Sequence, residues 1–180
     1  MSKKCKSCGV PFTPVRPMQK VCSPVCAMKV ARQVVDKAEK KETKLKLDAM
    51  QTKPQLVKKA QTAFNAYIRA RDKGKTCISC DTPLGNKPNS YDAGHFRSVG
   101  SAAHMRFVED QVHGQCKKCN RYLAGNVVEY RKRLLERIGL ERLEQIENDN
   151  VLRKYTKEAL IEIARYYNEQ ARQLNKESLD

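Results

Sequence analysis

Residues 77–126 read CISCDTPLGNKPNSYDAGHFRSVGSAAHMRFVEDQVHGQCKKCNRYLAGN, and this stretch decides the fold. Two CxxC pairs, Cys77/Cys80 and Cys116/Cys119, bracket all three histidines of the chain, His95, His104 and His113. Four thiolates in two i, i+3 pairs can close a tetrahedral shell around one zinc ion, each pair sitting on a tight turn. The metal then fixes a loop too polar and too rich in turn residues to bury a core of its own. Between the pairs lies Asp92-Ala93-Gly94-His95, and Asn120 directly follows the last cysteine. A carboxylate, an imidazole and an amide oxygen held by such a clamp suit a second, catalytic ion with hard oxygen ligands, Mg²⁺ or Mn²⁺.

Working outward, the other four cysteines repeat the pattern. Residues 5–26 read CKSCGVPFTPVRPMQKVCSPVC, a Cys5/Cys8 pair followed by a Cys22/Cys26 pair. Gly9, Pro11, Pro14 and Pro17 make this a turn-rich knuckle whose one packing residue is Phe12, so it should need its own zinc to fold. The start MSKKCKSCGV carries no apolar signal segment and no run is apolar enough to span a membrane. In a reducing cytoplasm, eight cysteines at these spacings read as zinc ligands rather than disulfides.

Charge is unevenly placed. The chain of 180 residues has a formal net charge of +16, with 19 lysines and arginines against 5 acids in residues 1–76 and 17 against 15 in residues 77–180. So basic a front half implies a polyanionic partner, with nucleic acid leading and a merely soluble Lys-rich surface as the alternative. From Ala27 to about Lys53 the composition is helical and polar. Met28, Ala31, Val35 and Ala38 form a thin apolar stripe without a sustained heptad, so a basic, largely solvated helical linker is expected. It could lie along a phosphate backbone or act as a spacer.

Pro54 opens the next helix, in which Leu56, Ala60, Ala63, Phe64, Tyr67 and Ile68 recur at helical spacing, ending near Gly74. Lys58 and Lys59 fall mainly on other faces, where they can meet DNA. After the central stretch, Val127, Tyr130, Leu134, Leu135 and Ile138 mark a helix closed by Gly139. A short segment with Leu140, Leu143 and Ile146 follows. Thr156 caps a last helix with Leu160, Ile161, Ala164, Tyr167, Ala171 and Leu174 on one side. These elements carry no catalytic pattern and are assigned to packing or to a dimer contact.

Two resemblances sharpen this reading. The staple with its Asp, His and Asn resembles an HNH (ββα-metal) nuclease site of the kind that carries CxxC…CxxC pairs. The ordered runs AQTAFNAYIRARDKGKTCISC, YDAGHFRS, RF…VHGQCKKCN, GNVVEYR and RIG, with the N-terminal CxxC and Cys22-Ser23-Pro24, resemble the NinG (Rap) recombination proteins of lambdoid phages across nearly the whole chain. That resemblance implies a structure-specific endonuclease acting on branched DNA, such as Holliday junctions and D-loops, in the cytoplasm of the bacterial host.

On the HNH pattern, His95 is the general base, since a neutral imidazole can take a proton at neutral pH. Asp92 and Asn120 are the ligands of the catalytic metal. Positions i and i+3 of a regular strand face opposite ways, so this assignment requires a bulge or turn at Gly94, which glycine permits. Gln111, five residues before Cys116, is expected to brace the loop carrying the base. His113 is the competing metal ligand or a phosphate contact, and His104 is incidental. Arg97, Lys117, Lys118 and Arg121 border the site and could bind phosphates.

The expectation is therefore an α+β protein: a zinc knuckle over residues 1–26, a basic helical linker over 27–53, and an HNH-like domain over 54–180 with its core at 77–126. The expected function is metal-dependent cleavage of branched or duplex DNA by a homodimer. The alternative is a non-catalytic, zinc-dependent DNA-binding or regulatory protein.

Overall fold

The computed structural model describes residues 2–87 and 89–177, the side chain of Ala49 excepted. It divides into two compact units, Met1–Gln51 and Thr52–Asp180. In the first, strands β1 (Lys3–Lys4) and β2 (Pro11–Phe12) pair antiparallel around the Cys5-to-Cys8 turn. Gly9 closes that turn at φ +75°, a conformation that only glycine adopts without a Cβ penalty. Helix α1 (Pro24–Met50) follows, N-capped by Ser23, whose side chain accepts from the Cys26 amide. Cys26 thus lies in the first turn of α1, and knuckle and helix fall within the Met1–Gln51 unit. Beyond that turn α1 is largely solvated; Met28 and Val35 are both exposed.

In the second unit, α2 (Lys53–Arg71) starts from a capping box between Thr52 and Gln55, with Pro54 in its first turn. Leu56, Ala60, Ala63, Phe64 and Ile68 form its buried stripe. A hairpin of β3 (Tyr91–His95) and β4 (Val112–Cys116) follows, then α3 (Val127–Ile138), α4 (Leu140–Asn148) and α5 (Lys157–Glu177). Leu160, Ala164 and Tyr167 of α5 pack with the α2 stripe, Ala93, Phe107 and Val112 in one core cluster. The apolar face of α5, read as packing or dimer contact, is used inside the chain. A second cluster joins Ile78, Phe96, Ala102 and Met105 to Tyr130 and Leu134 of α3 and to Leu143 and Ile146 of α4. Gly139 separates α3 from α4 at φ +77°.

Tyr130 links the second cluster to the hairpin. Fully buried, it donates its hydroxyl proton toward the carbonyls of Gly94 (2.9 Å) and Gln111 (3.1 Å). The mixed helix and strand content agrees with the α+β expectation.

Candidate metal centres and the Asp92 site

Each cysteine group comes together from two turns. The sulfurs of Cys5, Cys8, Cys22 and Cys26 lie within 4.8 Å of one another, as do those of Cys77, Cys80, Cys116 and Cys119. Sulfurs about 2.3 Å from a tetrahedral zinc ion would be about 3.8 Å apart. The Cys8–Cys22, Cys22–Cys26 and Cys80–Cys116 separations are 3.6, 3.6 and 3.7 Å.

Backbone amides point at these sulfurs: those of Ser7 and Cys22 at Cys5, and those of Ser79 and Cys116 at Cys77. Such bonds stabilise thiolate charge. The Cys8 amide and its neighbours lower Cys5 to about 6. Burial raises Cys80, but hydrogen bonds from Thr82 outweigh it and bring the thiol to about 6. Cys22 and Cys119 are pushed up to about 12, the first by hydrogen bonds to neighbouring thiols and the second by burial. The first proton of each group leaves easily and the last does not, so a divalent cation is what lets all four ionise. Both groups fit a structural zinc ion.

The second tetrad ties its two knuckles through Gln115. This fully buried amide donates to Ser79 Oγ (2.8 Å) in the first knuckle and to the Gly125 carbonyl (2.6 Å) beyond the second. Its side chain crosses over Gly94, where an added Cβ would lie 2.8 Å from the Gln115 Cβ. Gly94 is therefore required by close packing. It does not form the bulge expected from sequence: it sits in the regular ladder opposite His113.

The consequence for the expected site follows from strand alternation. Asp92 faces the short helical turn Lys118–Tyr122, where Asn120 Nδ2 donates to Asp92 Oδ2 at 3.0 Å. Arg121 donates to both carboxylate oxygens, at 2.7 and 2.8 Å. That guanidinium, followed by the Asn120 amide, holds the carboxyl below its usual range against the opposing effect of burial. His95 points the other way, its ring 6.3 Å from that of Phe64 on α2, with Nε2 at 3.1 Å from the Arg106 carbonyl. Burial lowers its pKa, partly offset by the carbonyls of Arg106 and Ala93, so the imidazole is neutral at pH 7.

Thus Asp92, Asn120 and Arg121 are brought together and His95 is not. Among the described residues, no group of three or more His, Cys, Asp and Glu ligands forms apart from the two tetrads. Asp92 and Asn120 offer a carboxylate and an amide of the hard-oxygen class, but Arg121 holds the carboxylate. The donor set for Mg²⁺ or Mn²⁺ is therefore incomplete as it stands.

The other expected residues divide. Gln111 is buried and braces the segment after β3, accepting from the Arg97 amide (3.0 Å) and donating to the Met105 carbonyl (2.7 Å). Arg97, expected at a phosphate, instead donates to the carbonyls of Ile146, Glu147 and Asp149 and to Asn150 Oδ1. It satisfies the orphan carbonyls at the end of α4, which is a structural use of its charge. Lys58, Lys117, Lys118 and Arg121 are exposed, and Lys59 is half-buried. His104, read as incidental, is buried with Nε2 at 2.8 Å from the Asp149 carbonyl.

His113 enters a network that sequence reasoning missed. Asp72, 1% exposed, accepts from Arg71 (3.0 and 2.9 Å), Lys75 (3.0 Å) and the Gly114 amide (2.7 Å). Burial alone would raise its carboxyl; Arg71, Gly114 and Lys75 together bring it to about 2. His113 donates from Nε2 to the Asp110 carbonyl (3.1 Å), leaving Nδ1 to accept from Arg71 (3.1 Å) and Arg137 (3.2 Å). Burial, then the nearby Arg71 charge, lowers it to about 4. The run RARDKGK gave one weak signal, an acid set among four cations at a helix end.

Fold and site thus define an α+β protein with two four-cysteine clusters and a polar hairpin between helices. The chain belongs to the family described as Bacteriophage Lambda NinG protein, whose model matches residues 1–177. It is 35% identical over 192 residues to Protein ninG of Salmonella phage P22 and to Protein ninG of Escherichia phage lambda, covering 96% of this chain and 93% of each relative. Protein ninG of Escherichia phage 933W is 34% identical over 190 residues, with the same coverage. No solved structure matches the chain.

Proposed function

We propose that this chain is a DNA endonuclease that cuts branched recombination intermediates, Holliday junctions and D-loops, by metal-dependent phosphodiester hydrolysis. The observation that carries the reading is the Asp92–Asn120 contact beside the second tetrad. A purely structural zinc knuckle has no need of a carboxylate and an amide held together at its rim. Membership of the NinG family and the basic front half support the same reading.

His95 is the proposed base. Because it faces away from Asp92 across β3, this reading requires the strand to shift when DNA and metal bind, so that the imidazole reaches the same phosphate. Of the three histidines, His104 and His113 are buried and only His95 retains appreciable exposure. Its neutral imidazole, with Nε2 at the Arg106 carbonyl, is the group that would take a proton from water. Asp92 and Asn120 would hold Mg²⁺ or Mn²⁺, which would supply charge neutralisation at the scissile phosphate and at the departing 3′-oxygen. A DNA phosphate arriving beside Lys117 and Lys118 gives Arg121 an alternative anion, freeing the Asp92 carboxylate. Two strands of a junction must be cut, so a homodimer presenting two sites is the simplest assembly. No helix among the described residues is long and apolar enough to cross a membrane, and the proposed place of action is the host cytoplasm.

One observation favours a second reading, a zinc-dependent DNA-binding protein without catalysis: both oxygens of Asp92 are engaged by Arg121. Variants separate the two. His95→Ala should slow junction cleavage about 10²–10⁴-fold with binding unchanged. Asn120→Ala should also lose cleavage, with partial recovery at high Mn²⁺ that His95→Ala does not share. Wild-type cleavage rates in His95→Ala would remove it from the mechanism.

A further inference from the structure

The network around His113 opens onto the surface. The ends of α2 and α3 border an open cleft of about 620 Å³, lined by Arg71, Lys75, Thr76, His113 and Arg137 with Asp72 at its base. Two guanidiniums converge on one neutral nitrogen there, Arg71 and Arg137 at 3.1 and 3.2 Å from His113 Nδ1. Among the described residues, the one carboxylate lining the cleft is that of Asp72. That carboxylate is already saturated by Arg71, Lys75 and the Gly114 amide.

The two arginines differ in what they have left. Arg71 is committed: besides Asp72 it donates to the carbonyls of Glu109 (3.3 Å) and Val112 (2.7 Å). Arg137, in the last turn of α3, makes one hydrogen bond, to His113, and pairs with no carboxylate among the described residues. A guanidinium has five donors in a planar fork that matches two oxygens of a phosphate. The remaining donors of Arg137 therefore border a cleft whose other charges, Arg71 and Lys75, outnumber the one acid. Asp72 and His113 are the rigid support: both are buried, and both hold their cations by their own backbone-anchored bonds.

We infer that this cleft is a phosphate-binding site, centred on Arg137 and braced by His113, that receives a backbone phosphate of DNA. It shares no residue with the Asp92 centre and so adds a second anchor on the duplex. The inference rests on the DNA-binding part of the proposed function and not on cleavage. A phosphate contact of this kind fixes register without reading sequence.

The test uses zinc-loaded full-length protein without added divalent ions, so that no cleavage enters. Inorganic phosphate is titrated while the Nε–Hε signal of Arg137 is followed by NMR with ¹⁵N-labelled arginine. In parallel, duplex affinity is measured against salt for wild type, Arg137→Gln and, as a control at an exposed position of α5, Arg172→Gln. A saturable shift of the Arg137 signal is expected, and the salt slope of log K should fall by about 0.9 in Arg137→Gln alone. No saturable shift would overturn the site. A shift with an unchanged salt slope would mean that the cleft takes free phosphate, overturning its assignment to DNA. Protein that passes both arms yet never cuts DNA would refute the endonuclease reading and leave this site standing.

Discussion

Asp72 shows how a single buried charge organises the second unit. It bonds Gly114 of β4 while gathering Arg71 and Lys75 around the end of α2, so one carboxylate joins helix to hairpin. Its carboxyl is depressed from 3.8 to about 2, so the fold favours the ionised form. That stability is fully present above about pH 5, is lost as pH falls through about 2, and amounts to about 2 kcal/mol. Replacing Asp72 by Asn leaves Arg71 without its partner, and the loss near neutral pH should be roughly 3 kcal/mol. In parallel denaturant unfolding, the gap between wild type and Asp72→Asn should narrow as pH falls below about 5. Both chains keep the same cysteine groups, so acid release of zinc cancels in the comparison. A gap that stays constant with pH would show that Asp72 is not the titrating group. Little of this was legible in the sequence, where only the run RARDKGK, one acid among four cations, hinted at it. Gln115 was hidden for the same reason, because its partners Ser79 and Gly125 are brought near only by folding. Gly94 was visible, but its cause lies across the hairpin in the Gln115 side chain.

At the scale of elements, the legible features were those with local causes. Cysteine spacing located both clusters because two pairs on tight turns have few ways to meet. The apolar periods of α2, α3 and α5 placed their buried faces, and Pro54, Gly139 and Thr156 marked ends that the structure retains. The site was less legible. Strand parity separates Asp92 from His95, whereas Asn120 meets Asp92 because the turn after Cys119 folds back over β3. Arg97 was misread for want of long-range information: its partners at the end of α4 are some 50 positions away. The clusters carry their own prediction. Elemental analysis of reduced protein should find two zinc ions per chain, retained under mild chelation that strips Mg²⁺. Cys77→Ser should unfold most of the Thr52–Asp180 unit, while Cys8→Ser should leave it folded, as judged by tyrosine near-UV circular dichroism. One zinc per chain, or equal damage from both substitutions, would contradict two separate staples.

For the whole molecule, charge and connectivity divide the work. The first unit is strongly basic and largely exposed, and the second holds the hydrophobic core clusters and the Asp92 centre. The boundary at Thr52, which caps α2, makes a clean truncation possible. Removing residues 1–51 should leave a folded second unit whose junction affinity is weaker and whose salt slope is flatter, because several phosphate contacts are lost. An unchanged slope would mean that DNA is held by the second unit alone.

The most direct measurement joins these scales. Zinc-loaded wild-type protein is incubated with a labelled synthetic four-way junction, and with linear duplex of the same sequence, in Mg²⁺ or Mn²⁺. The strands are then resolved on a denaturing gel. The expected result is paired cuts near the branch point, little cutting of linear duplex, and none when divalent ions are chelated. Protein that binds the junction yet leaves every strand intact with either metal would contradict the endonuclease reading and leave a DNA-binding protein in its place.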